Sequence, residues 1–480
     1  MKINLGVSGR GSFNSRTNCG VFHSCATAKV PYDMDGMRCL LSQSVARPWL
    51  PWLLLCALSA TVRSHAQLPF EREPINYATT ASDERVAQLQ KRLEAGDAEL
   101  HFDKRHGYLK SLLRELEISP RSQLLVFSKT SLQFRTIFPW SPRAIYFNDE
   151  TYVGWVPGGD VIELSTIDPQ QGAIFYTLRQ EKSPEPRFVR DRGNCLSCHA
   201  TRRTHDVPGH LVRSVYPSPT GLPHFHAGTF RSNHTLPLEK RWGGWYVTGT
   251  HGDQRHMGNA IAPNRDRPYD LDREGSANLT DLSRRTRTTA YLTPHSDIVA
   301  LMVLEHQVDM HNLITRATFD ARLAQHDTAV LNQALERPPD YISDSTHRRL
   351  QKAGENLLKY LLFSNEAILT DKITGTSDFS ERFAKLGRRD RQGRSLREFD
   401  LQRRLFKYPC SFLIHSAAFA AIPSRVKNYV YRRLWEVLTG KDRNPAFRHL
   451  SSQDRKSILS ILRDTHEGLP DYWQKKRGRF

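Results

Sequence analysis

Cys195, Cys198 and His199 stand together in Gly193-Asn194-Cys195-Leu196-Ser197-Cys198-His199. Two thiols with two residues between them, followed at once by an imidazole, match the Cys-x-x-Cys-His pattern of c-type haem attachment. The thiols must reach the two vinyl groups of one porphyrin. The histidine then comes up beneath the iron as proximal ligand. A zinc site is the main competing use of the same residues, and it would draw two further ligands from the histidines downstream. A thioredoxin-like redox pair would want a βαβ setting, which the flanking pattern does not provide. The motif occurs once, so one covalent haem c is expected, and relay through several haems within the chain is excluded.

The partner on the other face of the iron has to come from elsewhere. The stretch from Arg241 to Asn259 gathers Trp242, Trp245, Tyr246, His251, His256 and Met257 among five glycines. Glycine lets backbone approach a flat ligand closely, and Trp242 and Trp245 would flank a porphyrin. His256, then Met257, then His251 are the candidates for the sixth ligand. The choice bears on function, because bis-histidine ligation lowers the reduction potential relative to histidine–methionine. The competing reading is a glycine-rich turn beside a tryptophan core. Met302, His306 and Met310 recur at four-residue spacing, a pattern that belongs to a core stripe more often than to a ligand set. His224 and His226 flank Phe225 and would share one face of a strand. Arg202, Arg203 and Arg213 are placed to meet haem propionates. His205 and His210 have no distinguishing context.

These residues sit in a chain of 480 residues with a formal charge of +19, 39% hydrophobic and 25% charged. Arg47 precedes an apolar run from Trp49 to Ala60, and Ser64-His65-Ala66 offers small residues at the positions that direct cleavage. Residues 1–66 therefore read as an export signal with an over-long start, Met34 or Met37 being the better first residue. The alternative is an uncleaved membrane anchor. Export places the protein in the periplasm, where c-type haem is attached. Residues 1–66 hold seven basic and two acidic residues, so the remainder carries +14 and keeps only Cys195, Cys198 and Cys410. Three cysteines build no disulfide framework. The basic charge of an exported protein points to an acidic redox partner rather than nucleic acid, and no span long enough to cross a membrane follows the signal.

Three regions must position the motif. Residues 67–182 read as an α+β domain: helices over 83–95 and 108–117, then strands at 123–128, 143–148, 151–156, 161–164 and 173–178 with turns at Pro157-Gly158-Gly159 and Gln170-Gln171-Gly172. Residues 183–292 form a loop-rich haem-binding region, with short strands at 211–216 and 245–248. Residues 293–480 turn helical, with helices over 296–323, 347–369, 400–421, 425–439 and 452–466. The fold class is α+β, with an antiparallel β-rich N-terminal part and an all-helical C-terminal part.

The motif and its Asn-Cys-Leu-Ser-Cys-His-Ala surroundings resemble c-type cytochromes over about ten residues. The resemblance implies thioether attachment at Cys195 and Cys198 and proximal ligation by His199. Residues 142–149, the Trp-Gly-Gly-Trp run and Gly393-Arg394-Ser395-Leu396-Arg397 are similar to a class of large exported single-haem bacterial proteins. The function expected is a periplasmic monohaem c-type cytochrome that passes single electrons. The alternatives are a haem enzyme or sensor with an exchangeable sixth ligand, peroxidase-like in chemistry, and a zinc-stabilised binding protein.

Overall fold

The computed structural model describes residues 68–474; the segment 1–66, read above as an export signal, lies outside them. Two helices open the described chain, α1 (Arg85–Ala95) and α2 (Leu109–Glu115). Glu84, rather than the preceding Asp83, caps α1 by accepting from Val86 N at 2.7 Å and Ala87 N at 3.1 Å. An antiparallel meander follows: β1 (Leu124–Val126), β2 (Arg143–Phe147), β3 (Thr151–Trp155), β4 (Val161–Asp168), β5 (Gly172–Arg179) and β6 (Phe188–Arg190). The tight turns predicted between them are the ones the chain makes. Next come the single-turn helix α3 (Leu196–His199), a two-stranded ribbon of β7 (Arg213–Ser214) and β8 (Phe230–Arg231), and β9 (Trp245–Tyr246). β9 returns to pair with β1, giving a seven-stranded sheet in the order β6-β5-β4-β3-β2-β1-β9.

Helices make up most of what remains. They are α4 (Ile298–Ala334), α5 (Asp344–Leu361), α6 (Phe379–Lys385), α7 (Ala417–Ala420), α8 (Ser424–Leu438) and α9 (Ser452–Thr465). The one exception is a short pair in which β10 (Gly249–Thr250) meets β11 (Thr374–Gly375). The architecture is therefore α+β, with the sheet in the N-terminal half and helices in the C-terminal part. Among the described residues no helix is long and apolar enough to cross a membrane.

The predicted helix over 400–421 does not form. Residues 401–411 run as bends, followed by a 3-10 turn at Phe412–His415 and the one-turn α7. Pro409 has no N–H and pushes Tyr408 out of the helical region, and Leu401 adopts a left-handed φ of +58°. The apolar residues that gave the segment its helical pattern instead join an aromatic cluster of Phe383, Phe399, Phe406 and Phe412. α5 stops at Leu361, short of 369, because the chain turns through Phe363 and Asn365 at positive φ. α4 runs on to Ala334, past 323. The strand expected at 211–216 shrinks to two residues.

The described residues belong to one compact unit, and one apolar core runs through all three predicted regions. Ser296, at the entrance to α4, shows how they are fastened. Its hydroxyl accepts from Leu125 N on β1 at 2.9 Å and donates to the Tyr246 carbonyl on β9 at 2.6 Å. Asp297 then caps α4 through Val299 N and Ala300 N. At the other end of the sheet, Gly172 (φ +76°) allows β5 to pass close to α4. A Cβ there would run into Thr315 and the Pro208 carbonyl.

The first half of α4 is buried on every side, and many of its residues are polar: Glu305, His306, Gln307, Asp309, His311 and Asn312. Buried polar groups need partners, and these have them. Glu305 accepts from Arg241 at 2.5 Å, Ser232 at 2.9 Å and Trp242 Nε1 at 2.9 Å. Asp309 accepts from Asn233 at 2.8 Å and meets His205 at 3.0 Å. Gln307 and His311 turn the other way, to the Asn148 and Asp149 carbonyls of the β2–β3 hairpin. The loop region thus takes its shape from one face of α4.

Two outcomes follow. Glu305→Ala leaves the buried Arg241 guanidinium uncompensated, and urea unfolding should show a loss of about 3–5 kcal/mol. Acid should unfold the protein early. Burial lowers His256 and His306 to about 3 and His311 to about 4, whereas the unfolded groups take up protons near 6.5. Stability is then full above pH ~6.5 and falls as pH drops toward 3, by up to about 2 kcal/mol for each histidine at pH 5. Thermal unfolding followed from pH 8 to pH 4 should show a level Tm down to about pH 6.5 and a falling Tm below it; a flat profile throughout would count against the three neutral histidines.

Candidate haem site

The motif is presented by a turn that the chain stabilises locally. Asp191 Oδ2 accepts from Gly193 N at 3.0 Å and Cys195 N at 2.9 Å, tying the approach to the start of α3. Ser197 Oγ donates back to the Asn194 carbonyl at 2.7 Å. Cys195 is half-buried, Cys198 is exposed, and both are free thiols. One helical turn brings His199 round to the inner side. Its Nδ1 lies 2.9 Å from the Gly209 carbonyl, and Gly209 N donates to the His199 carbonyl at 2.8 Å. A carbonyl only accepts, so Nδ1 carries the proton and Nε2 keeps its lone pair. A carbonyl taking the proton of one ring nitrogen fixes the ring's orientation and leaves the other nitrogen free to bind a metal. Desolvation lowers the His199 pKa, which favours the neutral ligand form.

Gly209 is held in turn by α4. Asn312 Oδ1 accepts from His210 N at 2.9 Å, and Asn312 Nδ2 donates to the His210 carbonyl at 2.8 Å. A Cβ on residue 209 would strike the Asn312 side chain, so the position needs glycine for close approach.

Cys195, Cys198 and His199 all line a cavity of about 400 Å³, within the range of small-molecule and cofactor sites. Tyr152, Phe175, Leu304, Val308 and Trp245 give it an apolar wall, and Leu132, Phe134 and Phe225 stand at its rim, each about half exposed at 55%, 46% and 56%. Arg143 and Arg213 also line it. Arg143 pairs with Glu163 at 2.7 Å, and Glu163 accepts from Ser131 Oγ at 2.7 Å. The donor set fits a covalent haem: two thiols, an imidazole with a free Nε2, an apolar slot and two arginines for propionates. It fits zinc less well, because no three His, Cys, Asp or Glu side chains among the described residues come together as a metal site. A larger cleft of about 1140 Å³ lies beside α1 and Ser183–Arg187, but no residue of the motif lines it.

The residues expected on the distal side are divided. Trp245 lines the cavity, with its Nε1 donating to the Arg213 carbonyl at 2.8 Å. Trp242 lies behind it, fully buried against Glu305. His251, His256 and Met257 do not line the cavity at all. His251 exchanges two hydrogen bonds with Asn278, His256 packs between His251 and Trp242, and Met257 accepts from Ser214 beside Tyr216 and Ala262. The cause is Asn259, whose amide bonds both Val247 N and the Val247 carbonyl and folds 247–259 back on itself. Met302 and Met310 are core, and His306 stacks on Tyr360 and Phe363 while bonding Ser411. His224 and His226 give their Nε2 protons to the Ala262 and Arg265 carbonyls. Of the three arginines expected near propionates, only Arg213 lines the cavity.

His210, Arg143 and Glu163 are cavity residues that sequence reasoning missed or left unmarked. Arg143 and Glu163 lie on separate strands, β2 and β4, and only the sheet makes them neighbours of one another's side chains. For His210 the only available signal was the Pro208-Gly209 that precedes it.

No family model matches the chain, and neither a curated protein nor a solved structure does. The likeness to c-type cytochromes therefore rests on the motif and its immediate surroundings alone.

The thiols should report their settings. Burial and the neighbouring Asp191 push Cys195 up to about 12, so only about one molecule in 10⁴ is thiolate at pH 8. In haem-free protein, alkylation at pH 8 followed by mass spectrometry should find Cys198 labelled first and Cys195 at least tenfold more slowly. Cys410, buried within the core, should label only on unfolding. Equal labelling of Cys195 and Cys198 would contradict the geometry.

Proposed function

We propose that this chain carries one haem c, bound through Cys195 and Cys198 with His199 as proximal ligand, and passes single electrons in the periplasm. The observation that carries the reading is the His199–Gly209 clamp. It leaves Nε2 unprotonated in a cavity whose wall also holds both thiols. When bound, such a group supplies an Fe(III)/Fe(II) couple tuned by its axial ligand and by burial. The chain's own part is to attach it, orient the imidazole and exclude water with Phe175, Leu304, Val308 and Trp245. Arg143 and Arg213 would hold the propionates by charge-assisted hydrogen bonds.

An acidic redox protein is the partner this reading favours. The mature chain carries +14, Arg192 and Arg203 are exposed beside the motif, and the rim residues Leu132, Phe134 and Phe225 offer apolar contact around the cavity mouth. Such a surface steers an acidic partner and then docks it. A zinc-stabilised binding protein is the weaker reading, because Cys195, Cys198 and His199 are not gathered into a metal-ligand cluster among the described residues.

The test is to export the chain in a host with haem-attachment machinery and to measure the pyridine haemochrome after denaturation. One covalent haem per chain is expected, lost in Cys195→Ala/Cys198→Ala. A purified chain with stoichiometric zinc and no Soret band would overturn the reading.

A further inference from the structure

We infer that the sixth iron position, opposite His199, is filled by no side chain among the described residues and takes a small neutral diatomic ligand of the carbon monoxide class. The inference rests on the haem reading proposed above and follows from what the cavity's possible donors are already doing.

Strong-field sixth ligands are methionine and histidine. The methionines among the described residues are Met257, Met302 and Met310, all within the core, and none lines the cavity. His199 and His210 are the only histidines that do. His210 follows the residue whose carbonyl takes the His199 proton. That carbonyl lies on the far side of the imidazole from Nε2. An atom trans to His199 must therefore lie beyond both the ring and the iron, farther from Gly209 than the next residue's side chain extends. The His210 ring also packs on Phe175, as His199 does, and its Nε2 bonds Ser165. His210 Nδ1 has no hydrogen-bond partner, but the ring stands on the proximal side with His199 and Phe175 and does not reach the distal one.

The weaker donors are committed as well. Lys129 Nζ sits 3.6 Å over the Phe138 ring. Tyr152 OH accepts from Gln307 at 2.8 Å, and Tyr176 OH donates to Glu84 at 2.6 Å. Glu163 is neutralised by Arg143 and held by Ser131. With the Arg143 and Arg213 charges offset by Glu163 and by the propionates they would hold, and Phe175, Leu304, Val308 and Trp245 forming the wall, the pocket suits an uncharged ligand better than an anion.

Carbon monoxide added to the dithionite-reduced, haem-loaded protein is the probe. The expected result is a high-spin ferric spectrum and a Soret shift that saturates at one carbon monoxide per haem. His251→Ala, His256→Ala and Met257→Leu, none of which lines the cavity, should each give the same shift. A low-spin, six-coordinate spectrum in both oxidation states, unmoved by carbon monoxide while the haemochrome still reports one haem per chain, would overturn this inference alone. A variant that converted such a spectrum to high spin would name the ligand that refutes it. Absence of covalent haem would overturn the underlying reading with it.

Discussion

The buried ion pair of Arg241 and Glu305 holds the loop region to the rest of the molecule. Two charges taken out of water are stable only when their attraction is joined by further hydrogen bonds. Here Ser232 and Trp242 share the carboxylate, while Arg241 also donates to the Leu236 and His234 carbonyls. One helical turn further, Asp309 collects His205 and Asn233, and the next turn places Asn312 on His210. Positions 305, 309 and 312 lie on one face of α4. Residues 200–242 have little sheet or helix of their own, so their backbone polar groups depend on partners from outside. The polar face of α4 supplies those partners, which is why a helix at the centre of the core is not simply apolar.

The same face reaches the chemistry through three short links. Asn312 fixes the backbone of His210, Gly209 is thereby fixed, and its carbonyl sets the tautomer of His199. Which nitrogen of an imidazole keeps its lone pair is set by the group on the other; for His199 that group is main chain, positioned by a helix about 100 residues further along. The neutral form is favoured by the same burial that keeps His256, His306 and His311 unprotonated. These histidines are thus structural and uncharged, and the net positive charge of the chain is carried by arginine and lysine.

The cavity mouth joins two properties that ordinary surface keeps apart: half-exposed large apolar side chains, and guanidinium groups stacked on them, as with Arg213 over Phe225 at 4.8 Å. This pairing allows a desolvated contact at the rim while leaving the surrounding field positive.

Short runs of β-branched and aromatic residues between Gly/Pro turns marked the strands β1 to β5 from sequence alone, because such runs suit strands covered on both faces; β6 and the return of β9 to β1 were not legible there. The Cys195, Cys198 and His199 spacing was equally legible, since adjacency is a property of the chain itself; the Gly209 carbonyl that fixes the His199 tautomer was not. The helix expected at 400–421 failed because its apolar residues had a second use, an aromatic cluster that one proline and one left-handed leucine made reachable. The distal candidates His251, His256 and Met257 failed to reach the cavity for a related reason. Their composition suited a haem, but Asn259 bends the segment onto itself and spends them on its own packing. Local pattern fixes periodicity and covalent spacing, which belong to the chain. Which groups face one another across a cavity depends on long-range hydrogen bonds such as those of Glu305, Asp309 and Asn312, and only the tertiary structure decided those.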